Sequence, residues 1–124
     1  MLYCGPLYNF RFSGDQIVKA CVENGTHHVD ISGEPQFLET MQLRYQEQAA
    51  NKGIYVIGSC GFDSIPSDLG QMVVHRSMDG PVNTIETYLK CTTPHDEPGA
   101  TINFATFQSA IYGFAHAAEL KSIR

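Results

Sequence analysis

His28 and Asp30 stand two positions apart in His-His-Val-Asp-Ile-Ser, so on an extended strand they share one face. An imidazole beside a carboxylate can move a proton, and the same two groups can ligate a metal. No third ligand is spaced to join them, which favours a hydrogen-bonded or exposed histidine over a catalytic or metal-binding one. Ser32, Gly33 and Glu34 follow, directly ahead of Pro35. They read as a helix start, where free backbone N–H groups can receive an anion and the dipole favours the Glu34 carboxylate.

The third candidate stretch is Cys-Gly-Phe-Asp-Ser-Ile-Pro-Ser-Asp-Leu-Gly, residues 60–70, set between an apolar strand-like run and a helix-like run. It has two readings. In one, Asp63 or Ser64 caps the next helix and Pro66 sits in its first turn. In the other, Gly61, Phe62 and Asp63 also line a ligand crevice. Cys60 is either a reactive thiol near a helix start or an inert one. His95-Asp96-Glu97, between Pro94 and Pro98, reads as a solvated loop. No Ser-His-Asp or Cys-His-Asn arrangement is evident, and no catalytic residue and no metal site is assigned.

The elements that must hold these stretches alternate. Ser13-Gly14-Asp15-Gln16 fits a capping box ahead of Ile17, Val18, Cys21 and Val22, and Asn24-Gly25 fits a left-handed stop. A short strand covers the histidines. A second helix starts at Pro35 with Phe37, Leu38, Met41, Tyr45 and Ala49 on one face, ending at Lys52-Gly53. Ile-Tyr-Val-Ile-Gly-Ser, residues 54–59, runs apolar without alternation, as a strand covered on both faces does. A third helix is expected from about Ile65 to Met78, with Leu69, Met72 and Val73 on one side.

Short turns between these elements point to an α/β fold: a partial, doubly wound, Rossmann-like parallel sheet. After Gly80-Pro81 the pattern changes. Residues 82–90 alternate as a half-exposed strand does, a loop covers 93–100, and a helix interrupted near Gly113 carries Phe104, Phe107, Tyr112 and Phe114. A domain boundary is therefore expected near residue 80, between residues 1–80 and 81–124. In such sheets ligands bind at the carboxyl ends of strands. That places Gly5 and Pro6, Ser32 to Glu34, and Gly61 to Asp63 together. A glycine-rich phosphate loop is not found: Gly58-Ser59-Cys60-Gly61 begins Gly-x-x-Gly-x-x-Gly, but Ser64 stands where the last glycine belongs.

Composition narrows the classes. The 124 residues carry a net charge of −5, and no basic run offers an electrostatic grip on nucleic acid. The four cysteines show no Cys-x-x-Cys, so reduced thiols are expected rather than a zinc ribbon. The first residues do not read as a signal peptide, and no run approaches the roughly 18 apolar residues of a transmembrane helix.

Three stretches, residues 17–37, 51–70 and 109–114, resemble the saccharopine dehydrogenase-like oxidoreductases. Asp-Ile-Ser-Gly-Glu-Pro-Gln-Phe and Gly-Phe-Asp-Ser-Ile-Pro-Ser-Asp-Leu-Gly are the long, unusual motifs that carry the resemblance. It implies an internal piece of a longer chain, with residues 1–80 the later part of a dinucleotide-binding domain, 81–124 the beginning of a second α/β domain, NAD(P) as cofactor and a small-molecule or lipid substrate. It implies cofactor contacts at Gly5, Pro6, Gly61, Phe62 and Asp63, and a substrate crevice at Ser32, Gly33 and Glu34. At the family's Asn-Cys-Val-Gly-Pro-Tyr, this chain has Tyr3-Cys4-Gly5-Pro6-Leu7-Tyr8. The resemblance further implies an intracellular setting at lipid droplets or mitochondria, and a link to glycolipid metabolism. A homo-oligomer is compatible with it. The alternative is a non-catalytic interaction module that pairs with other chains through uncovered apolar faces.

Overall fold

The structure, a computed structural model, describes residues 2–3, 10–90 and 103–124. Its elements in chain order are β1 (Leu2–Tyr3), α1 (Phe10–Glu23), β2 (His28–Asp30), α2 (Pro35–Asn51), β3 (Val56–Ile57), α3 (Ile65–Ser77), α4 (Phe104–Ala115) and α5 (Ala117–Ile123). The three strands form one parallel sheet in the order β1-β2-β3. Helices α1 and α2 are the crossovers that parallel neighbours require. The mixed α/β class with a parallel sheet is therefore present.

Helix α1 begins a turn earlier than its sequence suggests. Ser13 lies inside the helix and is not its N-cap. The extra turn buries Phe10, whose ring sits 5.7 Å from that of Phe37 on α2. Burying a large apolar side chain is worth about 1.5–3 kcal/mol, more than a cap. Val18 and Val22 continue the same face against Phe37 and Met41, and Ala49 and Ile54 complete this core. Gly14 allows the close approach: a Cβ there would lie 2.4 Å from the Phe37 ring. Asp15 ties the two helices at their surface, accepting from Arg44 at 2.9 Å and Tyr45 at 2.8 Å.

The helix stops behave as expected. Gly25 and Gly53 take positive φ, 64° and 63°. The Lys52 ammonium reaches the last carbonyls of α1, at Val22 and Glu23. A cation there both satisfies free carbonyls and suits the negative end of the helix dipole.

Three further expectations need correction. The strand over residues 54–59 is only Val56–Ile57, and Ile57 is 49% exposed, so β3 is an edge strand rather than a covered one. Residues 82–90 form no strand. They are mostly exposed, and no described strand pairs with them, so the alternation has no hydrogen-bonded partner to fix it. The helical break falls at His116, not Gly113, which lies within α4. Helix α3 forms where expected, yet none of its residues is buried. The loop expected at residues 93–100 lies outside the described residues.

Helices α4 and α5 attach to α2. The Gln36 side chain donates to the carbonyls of Gly113 and His116, each at 3.2 Å. Arg124 forms a two-toothed ion pair with Glu39 through contacts of 2.7 and 3.0 Å. These bonds bring α4 across the carboxyl ends of β2 and β3.

Candidate ligand cleft at the carboxyl ends of the strands

His28 and Asp30 do meet, deep in the core. His28 Nε2 lies 2.9 Å from Asp30 Oδ2. Both side chains are essentially inaccessible, at 0% and 2%. On the far side, His28 Nδ1 lies 3.9 Å from the Cys21 sulfur. The set is satisfied when His28 carries its proton on Nε2 and donates it to Asp30.

Asp30 also anchors the turn that follows it. Its Oδ1 accepts from the Ser32 backbone N–H at 2.8 Å and from the Ser32 hydroxyl at 2.5 Å. Burial pushes the Asp30 carboxyl up, but the hydrogen bonds from His28 and Ser32 outweigh this and hold it below its ordinary 3.8. The pair is a structural brace, buried and internally hydrogen-bonded. Among the described residues no group of three His, Cys, Asp or Glu side chains could hold a metal.

Two further bonds fasten the turn after β2 to the turn after β3. The Cys60 N–H donates to the Asp30 carbonyl at 2.7 Å, and the Ser59 hydroxyl donates to the Ser32 carbonyl at 2.9 Å. Ser59 adopts φ 57°, a left-handed conformation unusual for a residue with a side chain. Such a conformation costs about 1–3 kcal/mol and persists only where neighbours impose it.

The capping reading of residues 60–70 does not account for its polar residues. Ser64 stands at the N-cap of α3 but makes no side-chain cap bond. The turn is closed by backbone instead: the N–H groups of Ser64 and Ile65 both donate to the Gly61 carbonyl. Asp63 is exposed and caps nothing. Glu34 likewise makes no side-chain cap at the start of α2; its buried carboxylate accepts from Ser109 on α4 at 3.1 Å.

Between these turns and α4 lies a cleft of about 720 Å³, within the size range of ligand sites. Gly33, Gly61, Phe62 and Asp63 line one side. Thr106, Ser109, Ala110 and Gly113 line the other. The structure thus joins four of the sequence-derived candidates in one cleft. Ser32 and Glu34 lie behind its wall, buried, one on Asp30 and the other on Ser109. Gly5 and Pro6 lie outside the described residues. Cys60 carries a half-buried free thiol beside the cleft.

The α4 wall is the part that reading the sequence missed. Its signal was small residues at helical spacing, Thr106, Ser109, Ala110 and Gly113, behind the more conspicuous aromatics. All three of Phe104, Phe107 and Phe114 are exposed, and of them Phe114 lies along the cleft.

A parallel α/β sheet with a cleft at its strand ends is the architecture of many ligand-binding enzymes, and the sequence comparisons narrow it. A saccharopine dehydrogenase-like oxidoreductase of Homo sapiens is 51% identical over 116 residues, 93% of this chain and 26% of the relative. A Caenorhabditis elegans "Lipid droplet localized protein" is 43% identical over 109 residues, 88% of this chain and 25% of the relative. An Arabidopsis thaliana "Probable mitochondrial saccharopine dehydrogenase-like oxidoreductase" is 40% identical over 117 residues, 93% of this chain and 25% of the relative. The chain belongs to the saccharopine dehydrogenase-like oxidoreductase family, and it spans about a quarter of the length of these relatives. No family model and no solved structure matches it. No helix among the described residues is long and apolar enough to cross a membrane.

Proposed function

We propose that the cleft is the substrate and nicotinamide end of an NAD(P)-dependent oxidoreductase site, built on a Rossmann-like doubly wound sheet. What carries the reading is the joining of Gly33 with Gly61, Phe62 and Asp63 in one cleft at the carboxyl ends of β2 and β3, faced by α4. The family name supplies the redox class. The cofactor, when bound, supplies the hydride; the residues here supply position. Gly33 and Gly61 let a flat ring approach backbone, and Phe62 offers it an aromatic neighbour. A lipid substrate fits the apolar lining and the C. elegans relative's name.

The test is saturation-transfer NMR of NADPH with the purified chain. Binding is expected to be weak, since the sequence holds no glycine-rich phosphate loop. The nicotinamide protons should receive saturation and the adenine protons should not. Gly113→Leu should remove the signal, because a side chain at Gly113 meets no atom within 4 Å and points into open space. Equal saturation of adenine, or a signal indifferent to that substitution, would overturn the reading.

One observation favours a second reading, an interaction module. Ile65, Leu69, Met72 and Val73 form an exposed stripe along α3. Size-exclusion chromatography across a concentration series separates the two: association that disappears with Leu69→Gln supports the module.

A further inference from the structure

We infer that the cleft takes the uncharged, apolar part of its ligand, an alkyl chain on a neutral head, and rejects anions. This deepens the proposed function and rests on the cleft being the ligand site. Two helices start at its edge, and a helix start is ordinarily where phosphates and carboxylates bind. Here a carboxylate already stands at each start. The buried Glu34 carboxylate sits at the N-cap of α2, and Asp68 lies in the first turn of α3. Each carboxylate offsets the positive end of its helix. Pro35 and Pro66 remove one backbone donor from each first turn.

The lining agrees with the helix starts. Asp63 is the one charged residue among the described lining residues, and no cation is present there. Its carboxylate is exposed and has no partner among the described residues, so it repels an anion at the mouth. The rest of the lining is mainly aliphatic and aromatic, from the exposed rings of Phe62 and Phe114 to Ile31 and Leu120, with Gln36, Thr106 and Ser109 as its polar members. An alkyl chain placed there loses contact with water at about 0.8 kcal/mol per CH₂. A carboxylate placed there loses hydration, and the lining offers only the neutral groups of Gln36, Thr106 and Ser109, without a cation, to replace it.

The experiment uses the purified chain and a neutral fluorescent probe, N-phenyl-naphthylamine, displaced by dodecanol or dodecanoate at neutral pH below their aggregation concentrations. Dodecanol is expected to displace the probe at least about tenfold more effectively than dodecanoate. Gly113→Leu and Gly33→Leu fill the cleft from opposite walls and should each weaken probe binding about tenfold or more, without lowering the melting temperature. Leu69→Gln, on α3, should leave binding unchanged. Dodecanoate displacing as well as dodecanol would overturn the inference. So would no probe binding at all, or loss of the probe only in Leu69→Gln. NADPH is titrated by NMR in parallel. Neutral-ligand preference without a nicotinamide signal leaves this inference standing and removes the dinucleotide reading; the reverse outcome does the opposite.

Discussion

Glu34 and Ser109, 75 positions apart in the chain, share a hydrogen bond of 3.1 Å between the start of α2 and the middle of α4. The bond joins the part that holds the sheet to the helix that walls the cleft. Removing the hydroxyl takes a donor from a buried carboxylate, which costs about 1–3 kcal/mol. Ser109→Ala should therefore lower the urea midpoint and speed amide exchange in α4 and α5, with α1 little changed. Uniform exchange across all helices would show that α4 is not separately latched.

Asp30 sets an acid limit. Its folded value lies below its ordinary 3.8, so its contribution is fully present above 3.8 and is lost as pH falls through the folded value. The half-buried Glu39, held below its ordinary 4.5 chiefly by the hydrogen bond from Arg124, acts with the same sign. Urea unfolding as a function of pH separates them. Asp30→Asn should flatten the acid limb and clearly lower stability at neutral pH; Glu39→Gln should flatten it only slightly and lower neutral stability by a correspondingly small amount.

At Gly14 the usual effect of a helical glycine is reversed. Alanine in a helix interior ordinarily gains about 1 kcal/mol over glycine. Here the added methyl meets the Phe37 ring, and overpacking costs about 1–3 kcal/mol. Gly14→Ala should destabilise the chain, and Phe37→Leu in the same molecule should recover part of the loss. Thermal melts of the double-mutant cycle decide it.

Gly113 behaves in the opposite way. It lies inside α4, and a side chain there meets nothing within 4 Å. Gly113→Leu should raise stability by up to about 1 kcal/mol. A lower melting temperature would mean that α4 approaches the sheet more closely than described.

Leu69 on α3 is 52% exposed. Leu69→Gln should change folding stability by no more than about 0.5 kcal/mol. Any larger effect seen only at high protein concentration would locate a self-association surface on α3.

How far these features were legible depends on how local they are. Gly25, Gly53 and Pro35 mark their helix boundaries by backbone conformation alone, and the sequence announces all of them. The start of α1 was misjudged because Phe10 earns its place through Phe37, a partner 27 positions away by the numbering. The polar residues of Gly-Phe-Asp-Ser read as caps by type, yet backbone bonds to Gly61 close that turn. The crevice at Gly33 and Gly61 to Asp63 was visible through the rule for strand ends. Its opposite wall was not, since Ser109 and Gly113 are ordinary helix residues until Glu34 and Gln36 bring them near. For residues 82–90, alternation describes a strand only when a neighbouring strand exists to pair with it.

The position of Cys21 turns the fold into its own chemical clock. Its thiol lies buried under α1 against His28, while the Cys60 thiol is half exposed beside the cleft. A thiol reagent should mark Cys60 in the native protein and reach Cys21 only when α1 lifts from the sheet. With the labelled peptides resolved by mass, the ratio of the two rates reads the free energy of that single opening. Any variant, ligand or pH can then be ranked by how long Cys21 stays unmarked.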